Sequence, residues 1–458
     1  IVQKFDLFYI FKFLTNDYMK RLLFTLTFLG SIYSFAQEDW TIEQCIMYAN
    51  KNNLTVQQNK INEELFNKDK ELMYNSWLPT VSGTMDNSFT IGSYNPTINK
   101  GYYQFSHSVG AQSSINIYSG GVVKLNKEKA EIELQAAKTQ TEITVNDISL
   151  QVANYYLAVL LNKELKQVAL GNLDISKLLL DQNRKKFKAG TIAQSIVAQS
   201  ESEVATNTRE VVNAQIEIER ALFNLAMLLQ LEDYRKFNVV SVKLPDNVSS
   251  QLYNLEDVLD YAYANQPAVK LAELQIESAV KQTEITRTSL FPKVTGSFNF
   301  GTSYLQYFNK RLRQDAFLTQ LGHNVTGVFG VSVIVPIWNQ YSYKINIQKA
   351  LINQDLAKNN LMQSRQEIQK NVQSAYFEVN SSYASYDSSK EAVKYAKISY
   401  DYAQKSYNAG VINQYDFNRS RNDMMVSESQ MLQAKYNYIF KQKVLDFYAG
   451  VPITLESK

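Results

Sequence analysis

The chain has 458 residues, with 47 Lys+Arg against 44 Asp+Glu, 45% hydrophobic residues, 16 Gly, two His and one Cys. So small a basic surplus argues against a nucleic-acid binder, and one cysteine excludes an intrachain disulfide framework or a Cys-cluster metal site. Two histidines disfavour zinc chemistry and a histidine proton relay, and glycine lies well under its usual ~7% share, so long uninterrupted elements and no cofactor are expected.

The first segment reads as an export signal. Met19-Lys20-Arg21 is basic, the run from Leu22 to Ile32 is apolar, and Ser34-Phe35-Ala36 sets small residues before Gln37. That is the layout of a secretory signal cleaved after Ala36, with Met19 as the expected start. The run is too short to span a bilayer, which takes ~20 apolar residues. Cys45 lies well beyond it and is read as a small core residue.

The rest divides into two copies of one unit. Trp40–Gly83 aligns with Tyr253–Gly296 at a constant offset of 213, with 12 of 44 positions identical. The blocks close alike, on Pro79-Thr-Val81-Ser-Gly83 and Pro292-Lys-Val294-Thr-Gly296. Farther on, at offset 220, Lys185, Ala189-Gly190, Ile192 and Gln194 match Lys405, Ala409-Gly410, Ile412 and Gln414. The first repeat is expected over 37–243, with a helix at 41–76, a β-hairpin at 81–118 and long helices over 121–231. A linker follows at 244–252. The second repeat is expected over 253–458, with a helix at 254–289, a β-hairpin at 294–337 and long helices over 340–449. The seven-residue change of offset implies a longer hairpin loop in the second copy.

Eleven of the 16 glycines fall in 83–121 and 296–330, and 337–409 holds neither Gly nor Pro. Those long stretches read as helix. Ala130, Leu134, Ala137, Thr141, Val145, Ile148, Val152, Tyr155 and Val159 recur about every 3.6 residues, a packing stripe on an almost straight helix. Ala189-Gly190 and Ala409-Gly410 read as reversals of two helical hairpins, since glycine tolerates the left-handed turn.

The glycine-rich windows alternate with a period of two. Val81, Gly83, Met85, Phe89 and Ile91 oppose Ser82, Thr84, Asp86, Ser88 and Thr90. Tyr103, Phe105, Val109, Ala111, Ile115 and Ile117 oppose Gln104, Ser106, Ser108, Gln112, Ser114 and Asn116. Such strands suit either a soluble sandwich or a membrane barrel, apolar outside and polar inside. Polar faces of Ser, Thr, Gln and Asn favour the lumen of a barrel. Four strands cannot close one, and open edges are not tolerated in lipid, so several chains must share it. His107 and His323 are too isolated for a metal site, and Met424, Met425 and Met431 read as core packing.

The duplicated unit, the Ser-x-Leu/Phe-Pro-x-Val-x-Gly entry to each hairpin, the Ala-Gly-x-Ile reversals and the closing Ala-Gly-Val-Pro at 449–452 together resemble the TolC-like outer-membrane efflux proteins, over essentially all of the chain past the export signal. The resemblance implies a mainly α fold with a membrane β part. Duplicated long helical hairpins would form an α-barrel, and four β-strands per chain would contribute to a shared 12-stranded barrel in a homotrimer. It implies a passive exit duct in the outer-membrane lipid, continued by a periplasmic tunnel. The implied partners are a periplasmic membrane-fusion adaptor and an inner-membrane transporter, with no nucleic acid and no enzymatic activity. The adaptor would dock on the hairpin tips, Ala189, Gly190 and Thr191 with Ala409, Gly410 and Val411. Asp416 matches an acidic ring at the periplasmic entrance, although a solvated helix residue would read the same. Arg419 stands where a second ring would be. Tyr407 fits an entrance latch whose other positions hold Ile196 and Ile412. The competing reading is a periplasmic coiled-coil adaptor or scaffold without a pore.

Overall fold

The computed structural model describes residues 39–95, 100–242, 253–308 and 314–455. The export segment expected over 1–36 and the linker expected over 244–252 lie outside the described residues.

A two-residue strand β1 (Asp39–Trp40) leads into α1 (Ile42–Asn52) and α2 (Leu54–Asn75). The expected single helix over 41–76 is therefore two. The break is at Asn53, whose backbone is extended at φ −61°, ψ 130°. Its side chain explains the break: Oδ1 accepts from the Thr55 N–H at 2.9 Å and Nδ2 donates to the Leu228 carbonyl at 3.1 Å. An asparagine that caps the next helix competes with continuing the last. The second copy breaks at the same place, between α5 (Leu255–Asn265) and α6 (Pro267–Arg287), against the expected single helix over 254–289. Here the cause is Pro267, which pushes Gln266 out of the helical region and itself fits the first helical position.

Each copy then gives two strands and two long helices. The first supplies β2 (Thr80–Asn95), β3 (Lys100–Ser119), α3 (Val122–Lys188) and α4 (Gln194–Leu229), followed by the short β4 (Asn238–Val239). The second supplies β5 (Lys293–Tyr307), a helix α7 (Phe317–His323) within the hairpin loop, β6 (Thr326–Ile334), α8 (Ser342–Asn408) and α9 (Gln414–Tyr448). α3 and α8 have 67 residues each, about 100 Å at ~1.5 Å per residue.

The four long strands form one antiparallel sheet in the order β2-β3-β5-β6. The helices attached to them pack in the same order: α2 on α3, α3 on α6, α6 on α8. Strand and helix layers are thus two storeys of one wall. Below, α3 pairs with α4 and α8 with α9 as hairpins, and α9 also touches α3. The hydrophobic core sits at the waist, where β1 and β4 pair in parallel beside α1 and α5. Tyr156 anchors it, fully buried, its hydroxyl donating to the carbonyls of Trp40 at 3.2 Å and Val240 at 3.1 Å. Of the stripe read along α3, Ala130, Leu134, Thr141, Ile148, Val152 and Val159 are buried and Ala137 and Val145 half-buried, but Tyr156 rather than Tyr155 takes the buried place.

Candidate functional site

The two helical hairpins reverse identically. Gly190 N–H bonds the Phe187 carbonyl at 2.9 Å and Thr191 N–H the Lys186 carbonyl at 3.0 Å. Gly410 and Val411 bond the carbonyls of Tyr407 and Ser406 in the same way. This double closure requires a left-handed residue just past the helix, and φ is 72° at Gly190 and 75° at Gly410. A Cβ at either would meet nothing within 4 Å, so the requirement is conformational and the tips are bare. Ala189, Gly190, Thr191, Ala409, Gly410 and Val411 are all exposed.

Just inside the tips a buried polar cluster joins all four helices. Asn183 of α3 donates from Nδ2 to Ser200 Oγ of α4 at 2.9 Å and to Gln414 Oε1 of α9 at 3.3 Å. Gln414 donates back to Ser200 Oγ at 2.9 Å. Tyr407 of α8 donates its hydroxyl to Asn183 Oδ1 at 3.3 Å. The Tyr407 ring stacks on Phe417, centroids 5.0 Å apart, and Lys186 Nζ lies over it at 5.4 Å from its centroid. A second tie lies farther in. Arg421 of α9, 3% exposed, forms an ion pair with Glu203 of α4, which also accepts from Asn418. Burial lowers the pKa of Arg421 from the ordinary arginine value. Among the described residues its Nε and Nη1 have no hydrogen-bond partner.

Tyr407 is therefore part of a clasp between the hairpins, and its partner is Asn183, not the latch positions at Ile196 and Ile412. Asp416 is not in the clasp. It is exposed in the first turn of α9, its N–H held by Asn413 Oδ1 at 2.9 Å, where the helix N-terminus favours a carboxylate. Sequence reading passed over Asn183, Ser200, Glu203 and Arg421. The available signal was a run of polar residues on helix faces that the hairpin geometry must bury.

At the other end the sheet has two unlike faces. Register places Val81, Met85, Phe89, Val109, Ala111, Phe298, Phe300, Phe329 and Val331 on one face. Ser82, Thr84, Asp86, Ser106, Gln112, Ser297 and Asn299 occupy the other. The apolar face is open: Val81 and Phe329 are each 74% exposed. Among the described residues no helix is long and apolar enough to cross a membrane.

Both storeys are also open at their edges. Among the described residues β2 and β6 each have a strand on one side only. α2 carries an exposed stripe of Leu54, Ile61, Leu65 and Leu72, and α8 one of Ile345, Ile352 and Leu356. The spacings of four and seven put each set on one side of its helix.

A sequence model described as outer membrane efflux protein matches residues 46–229 and 258–451. Nodulation protein T of Rhizobium leguminosarum bv. trifolii is 24% identical over 262 residues, 55% of this chain and 53% of that protein. The pyoverdine export outer membrane protein OpmQ of Pseudomonas aeruginosa is 24% identical over 259 residues, 55% of this chain and 50% of that one. The chain thus spans about half the length of the curated relatives it matches. The crystal structure of the Campylobacter jejuni CmeC outer membrane channel superposes with a TM-score of 0.70 at 17% identity, covering 92% of this chain and 88% of that one. At that identity the likeness shows the fold.

Proposed function

Since the chain belongs to the outer membrane efflux protein family, we propose that three copies assemble in the outer membrane as the passive exit duct of a tripartite export system. The observation that carries this reading is the two-storey wall with matched open edges. An apolar stripe on α2 of one copy meets the stripe on α8 of the next, and β6 meets β2. Such a head-to-tail contact closes into a ring when the rotation permits. Three copies give 12 strands, an even number within the range of bacterial barrels. Closure removes the strand edges that lipid would not tolerate. A poreless periplasmic scaffold would have no use for a sheet whose apolar face is open.

The helices continue the barrel as a periplasmic tunnel that ends at the hairpin tips. The bare tips, Ala189-Gly190-Thr191 and Ala409-Gly410-Val411, are the surface offered to a periplasmic adaptor, because small residues let a partner helix approach closely. Energy would come from the inner-membrane transporter beyond it; the duct itself performs no chemistry. At the entrance the three Asp416 carboxylates form an acidic ring that attracts cations, and Tyr407 belongs to the clasp that sets its width.

Purified protein run unheated on a denaturing gel, together with planar-bilayer recording, tests the assembly. A heat-sensitive trimer that conducts is expected; a monomer that forms no pores sinks the reading. Asp416→Ala should weaken block by multivalent cations, and unchanged block would remove the ring while leaving the duct.

A further inference from the structure

β5 outruns β6. Their pairing runs from Lys293–Ile334 to Gly301–Thr326, while β5 continues to Tyr307. On that side the backbone groups beyond Gly301 have no strand among the described residues, a costly state in a membrane wall. Side-chain amides take the strand's place. Gln320 donates from Nε2 to the Leu305 carbonyl at 3.0 Å and accepts the Leu305 N–H on Oε1 at 3.0 Å. Gln314 does the same for Tyr307, at 3.0 and 2.9 Å. Asn324 Nδ2 donates to the Ser303 carbonyl at 2.7 Å. The loop around α7 is thereby fixed to the edge of β5.

The loop also leans over one face of the sheet, and the register says which. Thr302 Oγ1 donates to the Leu321 carbonyl at 2.6 Å. The Phe317 ring lies 4.8 Å from that of Tyr304 and 5.8 Å from that of His107. His107 and Tyr304 are register partners, two residues along from Val109 and Thr302, and so lie on the apolar face. Beneath Phe317, His107 Nδ1 is hydrogen-bonded to Asn87 Oδ1 at 2.6 Å. A polar pair of this kind is unfavourable on a lipid-facing surface, and Phe317 lies over its His107 half while Asn87 stays exposed. Leu318 points away, 79% exposed. Phe308, also exposed, continues the apolar surface against Phe89 at 5.9 Å.

The height of this patch follows from the strand. His107 is 12 residues from Ser119, the helical end of β3. At ~3.4 Å per residue that is about 40 Å of strand, or about 30 Å of height at a ~40° tilt. That lies near the outer boundary of an apolar band ~25 Å tall.

We propose that residues 314–324 form a clamp on the outside of the barrel, with Phe317 and Leu318 seated against the acyl chains of the outer leaflet near the headgroup boundary. The proposal rests on the barrel reading above. Its occupant is lipid because the clamp lies on, and extends, the face that this reading turns toward lipid.

Site-directed fluorescence tests it. Cys45 is buried, so a thiol-reactive bimane can be placed at Leu318→Cys, or separately at Phe329→Cys on β6. Both labelled proteins, checked for trimer migration, are reconstituted in vesicles whose lipids carry a nitroxide at a shallow or a deep position. The expected result is quenching of both labels by lipid nitroxides. The shallow one should act more strongly at 318 and the deep one more strongly at 329. Quenching at 329 with the 318 label reached only by aqueous iodide would place α7 in the lumen and overturn the clamp. A 318 label reached by neither quencher would mean a neighbouring copy covers it, and would overturn the lipid contact equally. No lipid quenching at 329 would defeat the barrel reading itself, and the clamp with it.

Discussion

The hydroxyl of Tyr407 donates a 3.3 Å hydrogen bond to Oδ1 of Asn183, a contact between the two helical hairpins from residues 224 positions apart in sequence. Asn183 passes the connection to Ser200 and Gln414. The clasp therefore holds the two tips of one chain at a fixed separation. A duct entrance that widens by parting the hairpins must break it. Asn183→Ala is expected to cost about 1–3 kcal/mol of stability by leaving buried partners unpaired, and to raise single-channel conductance. Bilayer recording checks this. Unchanged conductance would mean that the clasp is structural only.

The Glu203–Arg421 pair is the stronger tie, because a guanidinium that is 3% exposed has lost its water. Arg421→Met alone strands a carboxylate among the helices, and should cost about 3–5 kcal/mol. Glu203→Gln with Arg421→Met should recover much of that loss. Thermal melting of the three variants measures the difference. A double variant no better than the worse single one would contradict a pairwise tie.

Glycine is required at the tips for backbone reasons. Gly190→Ala and Gly410→Ala should each cost about 1–2 kcal/mol, the strain of a left-handed alanine. Gly171, inside α3 with nothing within 4 Å of an added Cβ, should behave oppositely and gain up to about 1 kcal/mol as alanine. Denaturant midpoints for the three proteins decide it; equal effects would refute the distinction.

Burial pushes the Cys45 thiol up to about 12 from 9.0. An acid whose folded-state pKa is raised favours its neutral form in the fold. Its contribution to stability is then complete below about pH 9 and is lost as pH rises toward 12. Folded protein at pH 8 should leave a thiol reagent unreacted, and unfolded protein should titrate one thiol. Rapid reaction in the folded state would show that the site opens.

Asn53 ends one helix and starts the next while its amide reaches α4. Asn53→Ala should cost about 1–2 kcal/mol through the lost cap, and should loosen the contact between α2 and the waist. Hydrogen exchange along 54–60 would report it as faster exchange; unchanged protection would argue against the cap.

Much of this architecture was legible in the chain. Alternation fixed the two faces of the sheet, because side chains on a strand must point to opposite sides. The glycine count located the hairpins, and Ala-Gly marked both tips, because φ near 70° excludes most other residues. The break at Pro267 was missed in expecting one helix over 254–289, although a proline inside a helical stretch signals it. The break at Asn53 carried no such signal, because an asparagine leaves a helix only when something rewards its side chain, and the reward is a carbonyl 175 residues away.

The remainder belongs to tertiary structure. Sequence reading found Tyr407 and Asp416 on one hairpin, but could not assign Tyr407 a partner. Asn183, Ser200 and Gln414 meet it only because two separate hairpins are laid side by side at one depth, and polar side chains buried there must satisfy one another. α7 is the same case. Nothing in Gln314, Gln320 or Asn324 marks them as a substitute strand. They become one because β6 stops short, leaving backbone groups of β5 that only side-chain amides can reach. Local periodicity determined the elements and their faces, and the spatial pairing of distant polar groups decided where the molecule is clasped and where its wall ends.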